Sequence, residues 1–296
     1  MAIGSLHIEW LSRLVDRDIL RPGAAVLDLG PQDIQVSREY LTAVARRRQA
    51  DDRVTSLIDR IFDGTNVRAD AQAPFYEIFG AGSYCSVDGF DPRATYLADL
   101  NIAVPDIGQF DVVTNFGTVE HVFNIGEAFG SIHRLLRTGG VSLHAMPSFA
   151  FIDHGFYNVH PCFFFSLASA NSYKIVDVQY VDNFFARTRA QAALPVNPFD
   201  FDSLPITGDD MGDFWVLMEK TAKLFARNMT ETPPEMIDRY TGYVFDICLV
   251  AMRRTAESPN ELVAPTQTIF KSLQSTGQAR SRRKEFISWI STVLRG

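Results

Sequence analysis

Two hydrophobic rhythms alternate along the chain as far as residue 147. Residues 5–20 repeat apolar side chains at helical spacing (Ile8, Leu11, Leu14, Val15, Ile19), and Arg21-Pro22-Gly23 stops the run. The stretch Ala24–Leu27 is then continuously apolar and ends in Asp28-Leu29-Gly30, the pattern of a buried parallel strand running into a ligand loop. A helix is expected over 34–48, where Arg46-Arg47-Arg48 complements the negative end of the helix dipole. A further helical stretch lies near 52–62, and the remainder of 49–82 reads as loop. Strands follow at Tyr84–Val87, ending at Asp88, at Ala94–Leu97, and at Phe110–Asn115. Next come a helix over 126–137, a Gly139-Gly140 stop and a strand over Val141–Ala145. Beyond them the pattern predicts a helix over 162–172, a sixth strand at Lys174–Val181 and a seventh at Tyr243–Met252.

Strand and helix in this alternation predict an α/β fold: a doubly wound, mostly parallel, seven-stranded Rossmann-like sheet with helices on both faces. One domain is expected over residues 1–254. Within it the proline-bearing stretch 190–240, with helical spacing at 209–228, reads as an insertion that forms a lid. Residues 255–296 form a tail that is polar first and then basic and amphipathic, from Arg280 to Leu294. Such a helix is expected to pack on its own domain, with contact to an anionic membrane as the alternative.

Composition removes several classes. With 46% hydrophobic and 21% charged residues, the chain can bury a core and is not disordered. A net charge of −7 argues against a general nucleic-acid surface. The cysteines, Cys85, Cys162 and Cys248, are odd in number and widely spaced. Neither a disulfide framework nor a zinc ribbon is indicated, and buried free thiols in a reducing cytoplasm are expected. Charges run through the N-terminal segment, which therefore does not read as a signal peptide, and no apolar run is long enough to span a membrane.

Ligands of an open parallel sheet bind beyond the carboxyl ends of its strands, so the residues there matter most. Val26-Leu27-Asp28-Leu29-Gly30-Pro31-Gln32-Asp33 resembles the first motif of class I S-adenosylmethionine-dependent methyltransferases, with Gln32 where a second glycine is usual. Tyr84–Asp88 resembles the second strand of that family, Asp99-Leu100-Asn101 the next motif, and Phe110–Asn115 the fourth strand, followed by Thr118-Val119-Glu120-His121-Val122. Leu135-Leu136-Arg137-Thr138-Gly139-Gly140 resembles the turn before strand five. The motifs come in the family's order over residues 24–147. The resemblance implies S-adenosylmethionine as cofactor, with Asp28, Gly30, Gln32, Asp88, Asp99, Leu100 and Asn115 at its site. In the family the acid after the second strand accepts from the ribose hydroxyls, which falls here to Asp88 or, second, Asp91, and Asp99 would meet the adenine amino group. The glycine fingerprint of a dinucleotide site is absent, which disfavours a nicotinamide-dependent oxidoreductase.

Five of the six histidines fall between residues 121 and 160. His133, in a helix, and His144, in a strand, read as structural. His154, His160 and His121, in that order, are candidates for the base that takes a proton from the acceptor. Phe156, Tyr157 and Asn158 are candidates to bind the acceptor, in a loop 153–161 similar to an HG-x-Y-N-x-x-P segment of some small-molecule and carbohydrate methyltransferases. A metal would draw on His121, His154, His160 and Glu120; no HxH or HxxxH spacing is present and no metal is assigned. Phe163 and Phe164 are read first as core and second as pocket lining. The expected function is methylation of a small molecule in the cytoplasm, on a hydroxyl of a sugar or secondary metabolite. The alternative is a noncatalytic cofactor-binding or scaffold protein on the same fold. The sequence leaves the oligomeric state open.

Overall fold

A computed structural model describes residues 2–48, 52–62, 71–149, 154–182 and 246–266. Asp153, the 190–240 insertion with its helical stretch, and the C-terminal amphipathic helix lie outside these residues. The described chain runs β1 (Ala2–Ile3), α1 (Ser5–Asp16), β2 (Ala24–Leu29), β3 (Asp33–Ile34), α2 (Arg38–Arg48), α3 (Asp52–Phe62), α4 (Gln72–Ile78), β4 (Ala81–Asp88) and β5 (Tyr96–Leu97). It continues through β6 (Phe110–Phe116), a single 3-10 turn (Val119–His121), α5 (Ile125–Leu135), β7 (Leu136–Phe149), α6 (Pro161–Ala170), β8 (Lys174–Asp182) and β9 (Asp246–Arg253).

Seven strands form one sheet in the order β5-β4-β2-β6-β7-β9-β8. All neighbours are parallel except β9, which runs antiparallel to both β7 and β8. From β2 the chain builds outward through β4 and β5, then returns to the other side of β2 with β6. The direction reverses between β2 and β6, so a cleft opens past their carboxyl ends.

Alternate residues of each central strand feed two cores. Val26, Val112, Leu143 and Leu249 pack under α1 to α4. Leu27, Val113, Met146 and Val250 pack under α5 and α6 with Phe129, Ile132, Phe164 and Leu167. Both faces are covered, which is why β2 and β6 read as continuous apolar runs. Phe164 and Phe165 are buried and Phe163 packs against the same core, so this aromatic run is structural.

Several boundaries differ from the hydrophobic pattern for local reasons. Helix α1 ends at Asp16 rather than near residue 20, because Asp18 takes a left-handed conformation (φ 55°) and the chain folds back, Ile19 N donating to Leu14 O at 2.9 Å. Helix α2 starts at Arg38 instead of 34, since Ile34 pairs with Ile3 in a small parallel β1–β3 ladder. Strand β7 begins at Leu136, paired with Phe110, and carries Gly139 and Gly140 as an irregularity. Helix α4 falls in a stretch read as loop; its only long apolar side chains are Phe75, Tyr76 and Ile78, too short a run to show a period. Of the three free thiols only Cys248 is buried; Cys85 and Cys162 are partly exposed.

The first part of the tail is fastened to the domain. Val263 N donates to Asn171 Oδ1 at 2.7 Å, and Asn171 Nδ2 donates to Val263 O at 2.9 Å. Among the described residues no helix is long and apolar enough to cross a membrane.

Candidate active site

The loop after β2 turns on Gly30, whose φ of +77° is a conformation that favours glycine. A Cβ on Gly30 would lie 3.0 Å from Thr118 Oγ1, 3.2 Å from Gln32 Nε2 and 3.3 Å from Asp88 Oδ2. The ends of β2, β4 and β6 therefore converge on one glycine. Thr118 Oγ1 donates to Leu29 O at 2.5 Å, which joins the turn after β6 to this loop. Gln32 folds its amide back into the loop, Nε2 donating to Gly30 O at 3.1 Å. Its Oε1 is buried without a hydrogen-bond partner. Arg93 clasps the same loop from the far side, donating to Asp33 Oδ1 at 2.6 Å and to Pro31 O at 3.1 Å while it pairs with Asp91. That contact also holds the Asp91 carboxyl below the usual carboxylate range.

Some residues expected at the cofactor lie beneath its edge rather than on it. Asp28 is fully buried; Thr114 Oγ1 donates to it at 2.6 Å, and burial pushes its pKa up to about 7. Asn115 is fully buried and spends its side chain on the turn, Oδ1 accepting from Val119 N at 3.0 Å. The Leu100 side chain belongs to the core. Each is the inward-facing residue of a strand or loop whose other atoms shape the cleft, and the sequence pattern does not separate these two positions. Asp88 and Asp99 do reach the edge. Asp88 Oδ1 accepts from Phe90 N and Asp91 N at 2.7 and 2.8 Å, and its Oδ2 is turned toward Gly30. Asp99 is exposed and accepts from Asn101 N at 2.8 Å, which with the Asn101 side chain lowers its pKa.

The histidines separate by role. His144 is buried between Phe129 and Phe164, and burial lowers its pKa to about 3. His133 is buried and bonded to Tyr173 Oη at 2.5 Å and to Pro259 O at 2.9 Å. His160 accepts from Cys162 N at 3.4 Å as the N-cap of α6 and is not among the residues grouped with Glu120. His121 and His154 come together, ring centroids 5.0 Å apart. Glu120, 1% exposed, lies beside them, with His154 Nε2 at 3.9 Å from its Oε1. Burial pushes the Glu120 pKa up to about 8, and partial burial lowers both imidazoles. The loop carrying His154 is docked by backbone: Phe156 N and Tyr157 N donate to Glu120 O at 2.8 and 3.2 Å. Tyr157 Oη donates to Phe123 O at 2.7 Å, and Asn158 is exposed.

Large apolar side chains stand open around this edge. Phe90 (93% exposed), Leu97 (68%), Ile102, Phe123 (73%) and Phe156 (66%) all lie at or just past the carboxyl ends of β4, β5, β6 or β7. Phe123 and Phe156 meet edge to face, centroids 6.1 Å apart. These exposed apolar faces suit a flat heterocycle and an apolar acceptor body, and Phe123 and Phe156 each lie two residues from a histidine of the polar cluster.

Sheet order, glycine turn and strand-end acids agree with the comparison of residues 88–143, which match the family model described as a methyltransferase domain. That match identifies a methyltransferase domain in this part of the chain. No curated protein matches the sequence. The fold is similar to that of solved methyltransferases. One is the 1,6-didemethyltoxoflavin-N1-methyltransferase of Burkholderia thailandensis, solved with 1,6-didemethyltoxoflavin and S-adenosylhomocysteine (14% identity, 84% of this chain and 78% of that one, TM-score 0.40). A second is coclaurine N-methyltransferase with N-methylheliamine and S-adenosylhomocysteine (13%, 84% and 72%, TM-score 0.41). A third is a methyltransferase of Geobacter sulfurreducens with S-adenosylhomocysteine (18%, 83% and 90%, TM-score 0.38).

The methyltransferase cofactor fits the residues present. A Cβ at Gly30 would fill the space beside Asp88 Oδ2, and the Gln32 side chain in the same loop keeps a buried acceptor, Oε1, without a partner. Thr118, Gln72 and Arg93 were not among the expected site residues, and Glu120 was expected there only as a ligand should a metal bind. Glu120 stands in the recognised segment after β6, and an acid beside a histidine just past a strand end is the signal that marks it. Gln72, which donates to Gln32 O at 2.9 Å, and Arg93 leave no such mark.

Proposed function

We propose that the domain methylates a hydroxyl of a small molecule, a sugar or a secondary metabolite, in the cytoplasm. The observation that supports this reading is the Glu120–His121–His154 cluster, carried by the segments that follow β6 and β7 at the same sheet edge as the Gly30 loop. Asp88 would accept from the ribose hydroxyls and Gln32 Oε1 from the ammonium of the cofactor's amino-acid end. The bound cofactor supplies an electrophilic methyl on a sulfonium. The chain's own work is to hold the acceptor oxygen in line with that methyl and to make its proton leave. The hydroxyl proton would leave to solvent as the oxygen is methylated. His154 and His121 activate the hydroxyl, Phe156 and Phe123 hold the acceptor's apolar part, and Tyr157 and Asn158 orient it. His160 is committed to capping α6, so it ranks behind the other two.

The test is a labelled-methyl screen over sugars, phenols, polyols and amines, with NMR location of the methyl. An oxygen-methylated product is expected, with turnover about 100-fold lower in His154→Ala, an ordinary loss for a group that handles a proton. Methylation of amines alone, or cofactor binding without transfer to any acceptor, would refute the reading.

A further inference from the structure

Both carboxylate oxygens of Glu120 are buried and have no hydrogen-bond partner. Placing a carboxyl there is costly unless something else satisfies it. The two imidazoles nearest to it are partly exposed and belong to different segments, the 3-10 turn after β6 and the loop after β7. One ligand atom from each of Glu120, His121 and His154 can be chosen so that all three lie within 4.8 Å of one another.

The backbone is built for this meeting. Gly155 follows His154, and a Cβ there would lie 3.0 Å from Glu120 O, 3.2 Å from Glu120 Cγ and 3.3 Å from His121 Nδ1. A side chain at 155 would crowd Glu120 and His121, which would have to give by a few tenths of an ångström. The hydrogen bonds from Phe156 N and Tyr157 N to Glu120 O then fix the loop in place. Donor atoms brought together by two segments that pack closely at Gly155 form a preassembled set.

We propose that Glu120, His121 and His154 bind one divalent transition-metal ion of the zinc type. Two imidazole nitrogens and one carboxylate oxygen, without a thiolate, suit Zn²⁺ or Co²⁺ better than Cu⁺, Mg²⁺ or Ca²⁺. Metal–ligand bonds of about 2.0–2.2 Å place tetrahedral ligand atoms roughly 3.4 Å apart. The His154–Glu120 distance of 3.9 Å is close to that, and rotation of the two exposed rings supplies the rest. Three protein ligands leave a fourth position open. An acceptor hydroxyl bound there would be acidified by the ion and lose its proton to solvent. This last step alone rests on the oxygen-methylation reading; the metal site does not.

The experiment uses the untagged full chain, stripped with a chelator and titrated with Co²⁺ alone while visible absorption is followed. Ligand-field bands saturating at one equivalent and displaced by Zn²⁺ are expected. Even outer-shell changes weaken metal sites about 10–100-fold, so His154→Ala and Glu120→Gln are each expected to weaken cobalt binding by about 100-fold or more. Far-ultraviolet circular dichroism and S-adenosylhomocysteine affinity report whether each variant is folded. Since His154 is an exposed loop residue, its variant keeps the test sharp if the Glu120 variant misfolds. Absence of saturable bands, or a folded His154→Ala that binds cobalt within about threefold of the parent, would overturn the site. The titration contains no acceptor, so its failure and the failure of the acceptor screen are separate results.

Discussion

Asp28, next to last in the first strand of the large sheet, has its carboxyl entirely buried, held by the Thr114 hydroxyl at 2.6 Å and the more distant Tyr84 hydroxyl at 3.4 Å. Burial outweighs those bonds and raises its pKa from 3.8 to about 7. An acid with a raised folded pKa keeps its proton in the folded state while the unfolded chain has lost it. The folded state therefore loses stability as pH rises from about 4 to about 7. Asp28→Asn lacks this slope. Its stability relative to the parent is expected to improve by roughly 1–3 kcal/mol between pH 5 and pH 8, read from urea unfolding at the two values. A constant difference across that range would show that Asp28 is ionised in the fold. The same residue shows what the sequence can reveal. It marks the strand end correctly, but whether the acid faces the ligand or the floor beneath it depends on Thr114 and Tyr84, which lie 86 and 56 residues away. The histidines behave likewise. Their concentration between 121 and 160 is plain in the sequence, and only the docking of the loop on Glu120 O decides that His121 and His154 meet while His160 caps a helix.

Elements were legible where a long period was available and lost where a single residue turned the chain. Strands β2 and β6 and helix α5 follow from unbroken patterns. The early end of α1 depends on one left-handed aspartate, and the β1–β3 ladder depends on two-residue strands that no periodicity can mark. The carboxyl end of α5 offers a test. Its last carbonyls need donors, and buried Arg254, just after β9, supplies them: Nη1 donates to His133 O and to Leu136 O, each at 2.8 Å. The positive charge also suits that end of the helix. Arg254→Met keeps most of the volume but orphans both carbonyls. A loss of about 2–4 kcal/mol is expected in chemical denaturation, the sum of two unsatisfied buried acceptors. A loss below about 1 kcal/mol would mean that water or another donor replaces the guanidinium.

The sheet order was legible only in part. Alternation of strands and helices implies a parallel doubly wound sheet, but nothing in the seventh strand itself shows that β9 enters antiparallel between β7 and β8. That insertion ties distant parts of the chain into one body. Trp10 of α1 donates to Asp177 of β8 at 2.8 Å, and Arg17 also pairs with Asp177. The Gly30 loop stands at the centre of the same sheet, bonded to the turn after β6 through Thr118 and to the segment after β4 through Arg93. A ligand seated on that loop therefore acts on the described body as a whole rather than on a local flap. S-adenosylhomocysteine at about a hundred times its Kd adds about 2.7 kcal/mol to the folded state. For a chain of this size that corresponds to a rise in Tm of roughly 5 °C, expected as one transition displaced intact rather than a new one split off. Gly30→Ala should abolish the shift, because the new methyl would enter the space shared by Thr118, Gln32 and Asp88 and would also strain a φ of +77°. Its effect without ligand should be a uniformly lowered Tm. A ligand-induced shift equal to the parent's in folded Gly30→Ala would place the cofactor somewhere other than the β2 loop.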